Sequence, residues 1–383
     1  MNVLKMPQKI SSVLDDEGAC AWATERTKEE LPTVDSVHSN LHLRQVSQTN
    51  SSYESRTDIE FGRLLAPEAP RQKYRRRRGE VKTVIHWGQR KLLLSEIEFL
   101  TMYGVPGATV VYAGAAPGTH TSFLLDLFPE LKFILVDPAP FSSKMRQGPR
   151  CVLRQELFTD ALARELAGID DILFICDVRS CDWSLMNADD KNEKVVQDMM
   201  DQQRWHGIMK PIKSMLKFCL PWKAGQTEYL AGDVYLQAFG PITTTETRLI
   251  PHGHHRVMWD NQKYEEQMFH FNTVTRVARY PHHMPVGPPG YGLDYCYDCR
   301  SEVEIILQYL RKTEPELQGE VLKQKFSAMT CRCSWEISQN RTLMDPNSDP
   351  DEKDNYIRKR QWINGKPAYH DDNVTTAKRI TTK

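Results

Sequence analysis

The sequence predicts an α/β fold in which a mostly parallel sheet is covered by helices on both faces. Three features of the chain lead to this prediction. Short, continuously apolar stretches at 108–113, 131–136 and 171–176 have the length and composition of strands that are buried on both sides. The first stretch runs into a glycine-containing turn, and the other two are each followed by an Asp. Helical patterns separate the stretches, as the crossover connections of a parallel sheet require.

The predicted elements follow one another in a consistent order. An amphipathic helix is predicted over 92–100, ahead of the first strand, and another over 121–128, directly after the turn at 114–119. Two later stretches, 215–220 and 243–250, are also strand-like. Open sheets of this kind bind ligands at the carboxyl ends of their strands, so the residues that follow each strand are the first candidates for a site.

Composition divides the 383 residues into three parts. Residues 1–80 are polar and are expected to form a disordered basic arm, 81–335 a Rossmann-like domain, and 336–383 a disordered charged tail. The arm ends in the run RQKYRRRR at 71–78, which fits a solvated linker, a nuclear-import signal or a contact with RNA phosphates. Because the formal net charge is zero, any attraction to nucleic acid must come from such a local patch.

The apolar content and the cysteines point to an intracellular protein. No apolar run is long enough to span a bilayer, and the first residues lack the apolar core of a secretion signal. Nine cysteines, an odd number at scattered positions, are typical of reduced thiols. Cys296, Cys299, Cys331 and Cys333 could bind zinc, but the long gap and the tight second spacing favour ordinary buried thiols, so no metal is expected.

The glycine turn predicts a pocket for a nucleotide-like ligand. Gly114 lets the backbone approach a ligand closely, and Asp137 lies about 20 residues further on, where an acidic residue grips ribose hydroxyls. Pro117 breaks the dinucleotide pattern, which disfavours NAD. S-adenosylmethionine has a ribose and no pyrophosphate, and it fits better. The alternative is that the glycines serve only a tight turn between strand and helix.

Four charged residues are candidates for chemistry at a ribose hydroxyl. Methylation of a hydroxyl needs a base, and a lysine can serve if burial or a neighbouring cation lowers its pKa. Lys217 interrupts an apolar strand, Asp177 follows another, Lys91 precedes the first helix and Glu246 lies in a strand-like stretch. Singly, each has a structural alternative: Lys217 could extend from a helix edge, Lys91 could be a surface residue, Asp177 could cap a turn, and Glu246 could pair with Arg248.

Five motifs occur in the order of a known family: GQRKLLL at 88–94, VVYAGAAPGTH at 110–120, DVRS at 177–180, LK at 216–217 and ETRL at 246–249. In this order they resemble the cap-specific mRNA 2′-O-methyltransferases of poxviruses and their trypanosomatid relatives, which build the hypermethylated cap of the spliced leader. The resemblance covers residues 86–312 and excludes the arm and the tail.

The resemblance implies a Lys-Asp-Lys-Glu tetrad on a Rossmann-like sheet. It maps onto Lys91, Asp177, Lys217 and Glu246, with Lys217 as the base and the other three residues orienting it and setting its pKa. It also implies S-adenosyl-L-methionine as methyl donor, held by five residues: Gln89, Gly114, Gly118, Asp137 and Val178.

For the cap, the resemblance is partial. Trp222 stands where the family has a ring that stacks on 7-methylguanine, and Glu265 lies near the family's edge-reading carboxylate. The methylated base is cationic, so stacking gains a cation–π contribution. Two departures stand out. Ala139 replaces an arginine of the donor motif, and Ala224 replaces the acid expected after the stacking ring.

The expected function is therefore S-adenosylmethionine-dependent 2′-O-methylation of capped, single-stranded RNA near its 5′ end, without a membrane partner. The long basic arm and the divergent cap positions favour the trypanosomatid relatives. For such an enzyme the expected target is the second transcribed nucleotide or a later one, and the expected location is the nucleus; a viral enzyme would be cytoplasmic. Two alternatives stay open. One is a 2′-O-methyltransferase of ribosomal or small RNA without a cap requirement, and the other is a non-catalytic subunit of an RNA-processing complex.

Overall fold

The computed structural model describes residues 59–75, 88–143, 145, 147–180, 186–240, 244–276, 278, 280–284, 297–338, 362–363 and 366–367. Residues 1–58 of the predicted arm and most of the predicted tail lie outside these described ranges. So do the last three arginines of the basic run, at 76–78.

One seven-stranded sheet forms the centre of the domain. Its strands are β1 (Thr109–Ala113), β2 (Lys132–Val136), β3 (Cys151–Arg154), β4 (Ile172–Cys176), β5 (Lys213–Phe218), β6 (Gln226–Tyr235) and β7 (Thr247–Asp260). They lie in the order β3-β2-β1-β4-β5-β7-β6. The first five strands in this order pair in parallel, and β7 is antiparallel to both of its neighbours. The predicted α/β fold with a mostly parallel, Rossmann-like sheet is thereby confirmed.

Seven α-helices accompany the sheet in the described part of the chain: α1 (Gly88–Tyr103), α2 (Thr121–Leu127), α3 (Asp160–Leu166), α4 (Ala188–Met209), α5 (Asn261–His270), α6 (Tyr297–Thr313) and α7 (Gly319–Ser338). A π-helical segment, Phe271–Thr275, directly follows α5. Polar side chains begin three of them. Thr159, Asn187 and Asp260 each accept a hydrogen bond from a backbone N–H in the first turn of α3, α4 and α5. No described helix combines the length and the apolar composition of a membrane span.

The alternation of side chains along the strands creates a core on each face of the sheet. Val110 and Tyr112 of β1 pack into a cluster that includes Leu93 of α1. Val111 and Ala113 point the other way, into a cluster with residues of α3, α4 and α5. This is why the strand at 109–113 is apolar at every position, and why the helices cover both faces as predicted.

The later strands differ from their predicted ranges, and β7 runs to Asp260, well beyond the predicted end at residue 250. β5 begins two residues before the predicted stretch and ends at Phe218. β7 begins only at Thr247, because the Thr244 hydroxyl accepts a hydrogen bond from Glu246 N and holds the preceding residues in a turn. Glu246 therefore stands just before the strand rather than within it.

The expectation of disorder up to residue 80 is wrong for residues 59–75, which form a strap across the domain. Leu65 N donates to Val234 O and Leu236 N to Arg63 O, each at 2.8 Å, so the strap pairs with β6. The Arg63 guanidinium contacts Glu98 of α1 at 2.7 and 2.9 Å. β6 is an edge strand, and its open backbone groups favour such pairing.

The far end of the chain also departs from the predicted boundary at residue 335. Helix α7 continues to Ser338. Within the range assigned to the tail, Trp362–Ile363 pairs antiparallel with Lys366–Pro367.

Candidate active site

The four charged residues predicted from the sequence meet at one edge of the sheet. Lys91 lies in the first turn of α1 and Asp177 directly follows β4. Lys217 is the penultimate residue of β5, and Glu246 directly precedes β7. β4 and β5 are parallel neighbours, and β7 starts where β5 ends, so these positions converge. The fold thus assembles residues that are up to 155 positions apart in the chain.

The two lysines interleave with the two carboxylates. Lys217 Nζ lies 3.1 Å from Asp177 Oδ1 and 3.6 Å from Glu246 Oε2. Lys91 Nζ donates to Glu246 Oε1 over 2.6 Å. Between 10% and 20% of the surface of each of these four side chains is exposed. A substrate can therefore reach a cluster that is otherwise shielded from solvent.

Arg248 is a fifth member of this cluster. Its Nη2 lies 2.6 Å from Asp177 Oδ1 and its Nη1 lies 3.0 Å from Glu246 Oε1. On the neighbouring strands Arg248 stands directly opposite Lys217. With the Gln237 amide oxygen turned towards it, Arg248 also donates to that oxygen at 3.0 and 3.2 Å. From the sequence, Arg248 was expected only as an alternative partner of Glu246. The stronger signal was a lone arginine beside Leu249 and Ile250 in a core strand, since a buried arginine requires acidic partners.

The charges in the cluster shift the pKa values of its members. Burial by itself would raise the pKa of Glu246, but Lys217, Lys91 and Arg248 outweigh burial and hold that pKa well below its usual value. Burial lowers the pKa of Lys91. The positive charges of Arg248 and Lys217 lower it further, whereas the negative charge of Glu246 raises it. Three cations face two carboxylates, so the cluster keeps Glu246 ionised and facilitates loss of a proton from Lys91.

The glycine turn lies directly against the charged cluster. Gly114 has a φ of +82°, and a Cβ at this position would lie 2.9 Å from the backbone of both Asp177 and Val178. Any side chain would therefore push the turn away from the end of β4. Gly118 has a φ of +69°, and its Cβ would lie 3.2 Å from Met145 Sδ. Gly114 is thus required by the close approach of the turn, and Gly118 is favoured by its positive φ.

Asp137 and Gln89 line the same region and fit a ligand with a ribose. Asp137 accepts from Ala116 N at 3.0 Å and from Ala139 N at 2.8 Å, one bond to each oxygen. Each oxygen keeps a lone pair for a ribose hydroxyl. Gln89 Oε1 accepts from His120 Nδ1 at 2.8 Å, which leaves the amide nitrogen to donate to a ligand. Asp137 and Gln89 thus suit S-adenosylmethionine chemically, and the assignment of the five predicted residues to a donor site stays a prediction.

The two predicted cap residues lie on segments that meet at Thr245. The Trp222 side chain has 37% of its surface exposed, and its Nε1 donates to Thr245 Oγ1 at 3.1 Å. Tyr264 of α5, the neighbour of Glu265, donates to Thr245 O at 2.5 Å. Burial, assisted by Glu266, raises the pKa of Glu265. With this exposure Trp222 is not a core aromatic, and Thr245 joins both segments to Glu246.

The zinc alternative stays untested, because two of its four thiols are not described. Among the described residues, no group of three or more His, Cys, Asp or Glu side chains is arranged to hold a metal ion. Cys299 and Cys333 are buried. Cys296 and the side chain of Cys331 lie outside the described part.

Comparison with known proteins adds sequence relatives to this geometry. The family model described as poly A polymerase regulatory subunit matches residues 69–285, more than half of the chain. A Myxoma virus (strain Lausanne) protein named cap-specific mRNA (nucleoside-2′-O-)-methyltransferase is 29% identical over 221 residues, covering 51% of this chain and 63% of the relative. A Fowlpox virus (strain NVSL) protein of the same name is 31% identical over 215 residues, covering 49% of this chain and 68% of the relative.

The match to the Myxoma virus protein spans a little under two thirds of that protein's own length. Among solved structures, bluetongue virus VP4, described as a multifunctional RNA-capping production line, has a TM-score of 0.37 at 11% identity. That alignment covers 70% of this chain and 42% of VP4, and at such a TM-score it carries no argument.

Proposed function

The chain belongs to the family described as poly A polymerase regulatory subunit, and we propose that it methylates the ribose 2′-hydroxyl of a nucleotide near the 5′ cap of RNA, with S-adenosylmethionine as donor. The Myxoma and Fowlpox relatives carry the name of this activity. The whole activity, its RNA substrate and its partners are proposed because the match spans only part of the first relative.

The observation that carries the proposal is the convergence of Lys91, Asp177, Lys217 and Glu246 beside the Gly114 turn. Transfer to a hydroxyl requires removal of its proton and alignment of its oxygen with the methyl carbon. Lys217 Nζ, in its neutral form, would take that proton while Asp177 and Glu246 hold the ammonium that results. Arg248 contacts both carboxylates and offsets their negative charge.

The donor site would be formed by Gln89, Gly114, Gly118, Asp137 and Val178. When bound, S-adenosylmethionine supplies an electrophilic methyl group on a positively charged sulfur. Asp137 would accept from the ribose hydroxyls, and the Gly114 turn would place the donor against the backbone after β4. This backbone includes Asp177, which contacts the proposed base. The donor and the base would therefore lie against the same wall of the site, and this limits the distance between the methyl group and the target oxygen.

For the RNA, we place the 7-methylguanine base on the exposed face of Trp222, with Glu265 reading its edge. A cationic base is suited to an aromatic ring, and a carboxylate accepts from its N–H groups. The second transcribed nucleotide is the proposed target. The basic run at 71–78, whose described members Arg71, Lys73 and Arg75 are exposed, supports a nuclear location. Nuclear accumulation of a fluorescent protein fused to residues 69–80 tests this location, and an even distribution would contradict it.

The proposed activity is tested by transfer of a labelled methyl group to capped RNAs that carry successive 2′-O-methyl groups, followed by nuclease mapping. We expect label on the second transcribed nucleotide of capped RNA, and loss of transfer in Lys217→Met. The matched control is Lys213→Met, which removes a lysine from the opposite end of β5. Equal transfer to uncapped RNA would favour the ribosomal or small-RNA alternative. No transfer to any RNA would support a non-catalytic subunit.

A further inference from the structure

A buried chain of polar side chains leads from the core to Gln89. We propose that His120, held by Glu96, is a positioning residue that fixes the Gln89 amide with its nitrogen towards an acceptor atom of the methyl donor. The carboxylate of the methionine moiety is the strongest such acceptor. This inference rests on the proposed function, because it assigns a role to residues behind the donor site.

His120 is buried, and each of its two ring nitrogens contacts a different side chain. The residue precedes α2 and has 2% of its surface exposed. Its Nε2 lies 2.9 and 3.1 Å from the two carboxylate oxygens of Glu96. Its Nδ1 lies 2.8 Å from Gln89 Oε1. The imidazole thus stands between a core carboxylate and an amide on the wall of the donor site.

Glu96 presents its carboxylate oxygens to the ring, and these accept a hydrogen bond from a ring N–H. Its side chain is fully buried, and it accepts from the Tyr112 hydroxyl at 2.7 Å. Its Oε2 lacks an aligned hydrogen bond, so the carboxylate depends on the nearby His120 Nε2 for compensation. A buried carboxylate is unfavourable unless a donor contacts it, and His120 Nε2 is the donor in contact with Oε2.

The proton on Nδ1 determines how the Gln89 amide is turned. Nδ1 faces the amide oxygen, which can only accept, so Nδ1 donates in this contact. The Thr119 hydroxyl, 3.4 Å from the same oxygen, adds a second donor. The amide nitrogen then points away from His120. If the ring were neutral with its proton on Nε2, Nδ1 would accept instead, and the amide would turn its oxygen, which repels a carboxylate, towards the ligand.

Glu96→Gln tests this chain of contacts without changing side-chain shape. We expect binding of S-adenosylhomocysteine and S-adenosylmethionine, measured by calorimetry on the full chain, to weaken about tenfold, as for loss of one hydrogen bond to a charged group. The kcat at saturating donor should change by less than about twofold, since the interaction acts on donor binding. The effect should vanish when Gln89→Ala is already present, as expected for residues that act through one another.

Glu98→Gln is the matched control, since Glu98 is another buried carboxylate of α1 and pairs with Arg63 instead. It should leave donor affinity unchanged. His120→Asn and His120→Leu form a second pair. Asn keeps an N–H where Nδ1 stood, so it should bind the donor more tightly than Leu does.

The outcomes separate the two proposals. A wild-type chain that binds neither donor nor product overturns the proposed function. A wild-type chain that binds them, with Glu96→Gln binding equally well, overturns the role of His120 alone. Equal loss of affinity in Glu98→Gln, or in His120→Asn and His120→Leu, would also overturn it, because either result indicates a general effect on folding.

Discussion

Arg248 and Asp177 are joined by a 2.6 Å ion pair that links the start of β7 to the end of β4 across the intervening strand β5. Lys217 stands on that intervening strand and contacts the same Asp177 oxygen at 3.1 Å. The pair therefore fixes the carboxylate that faces the proposed base. It also explains how an arginine with 2% of its surface exposed is tolerated, since both terminal nitrogens of its guanidinium contact carboxylate oxygens.

Arg248→Lys tests this relationship. A lysine supplies one point charge and cannot bridge Asp177 and Glu246 as the planar guanidinium does. We expect kcat of methyl transfer to fall roughly tenfold to a hundredfold with donor affinity unchanged, because misplacement of catalytic groups acts on the transition state. Steady-state kinetics and calorimetry measure the two effects.

Arg256→Lys is the control for this substitution. Arg256 lies on the same strand but is half exposed and pairs with Glu228 at the surface. It should retain full activity, since exposed ion pairs contribute little. Full activity of Arg248→Lys would show that the bridge is not needed to orient Asp177.

Trp222→Ala should raise KM for capped RNA about tenfold, because a stacked cationic base gains roughly 1–2 kcal/mol when desolvated. KM for uncapped RNA should stay the same. Trp222→Phe should lie between wild type and Ala, since it keeps a ring but loses the bond from Nε1 to Thr245. Parallel titrations with capped and uncapped transcripts of one sequence measure this. An equal rise in KM for both RNAs would mean that the cap does not bind at Trp222.

The sequence predicted those elements of the fold that are determined by a few consecutive residues. The apolar runs that became β1, β2 and β4 carry their own burial pattern, and the turn at Gly114 follows from one short motif. Arg248 was harder to assign, because its role depends on Asp177, a residue 71 positions away. The start of β7 was missed because a single hydroxyl, on Thr244, turns the chain before the strand begins. The hydrophobic periodicity of the sequence does not reveal a single hydrogen bond between a side chain and the backbone.

The strap was missed for the same reason, and its contribution to stability can be measured. Arg63 is mostly buried and bonds to Glu98, to the Tyr297 hydroxyl and to Ser301. Arg63→Met leaves Glu98 buried without its cation, so we expect a loss of about 3 kcal/mol in the free energy of unfolding. Urea denaturation measures this loss.

Two further variants identify the cause of that loss. Arg63→Met combined with Glu98→Gln should lose less than the sum of the two single changes, because the unpaired charge is then gone. Arg71→Met removes a strap arginine that is 60% exposed and 3.8 Å from Glu266, so it should change stability by less than about 0.5 kcal/mol. Equal effects of Arg63→Met and Arg71→Met would mean that the strap does not depend on its buried pair.

His206 should make the stability of the domain depend on pH between about 4 and 6.5. It lies buried between α4 and β5, with Nδ1 2.8 Å from Ser214 Oγ and Nε2 3.2 Å from the Gly253 carbonyl oxygen. These partners suit a neutral ring that donates from Nε2. Burial, and then the neighbouring His254 ring at 4.7 Å, lower the pKa of His206 to about 4.

Because the unfolded chain binds this proton near pH 6.5 and the folded chain only near pH 4, the unfolded state gains protons first as the pH falls. The contribution of His206 to stability is therefore complete above pH 6.5, and about 3 kcal/mol is lost by pH 4, at 1.36 kcal/mol for each pH unit. His206→Gln removes the titrating group, so the free energy of unfolding should fall less steeply across this window. Urea denaturation at intervals from pH 7.5 to pH 4 measures both slopes. Taking their difference cancels the contribution of the carboxylates, which both proteins share. Parallel curves for wild type and His206→Gln would show that the ring is protonated as readily in the folded state as in the unfolded chain.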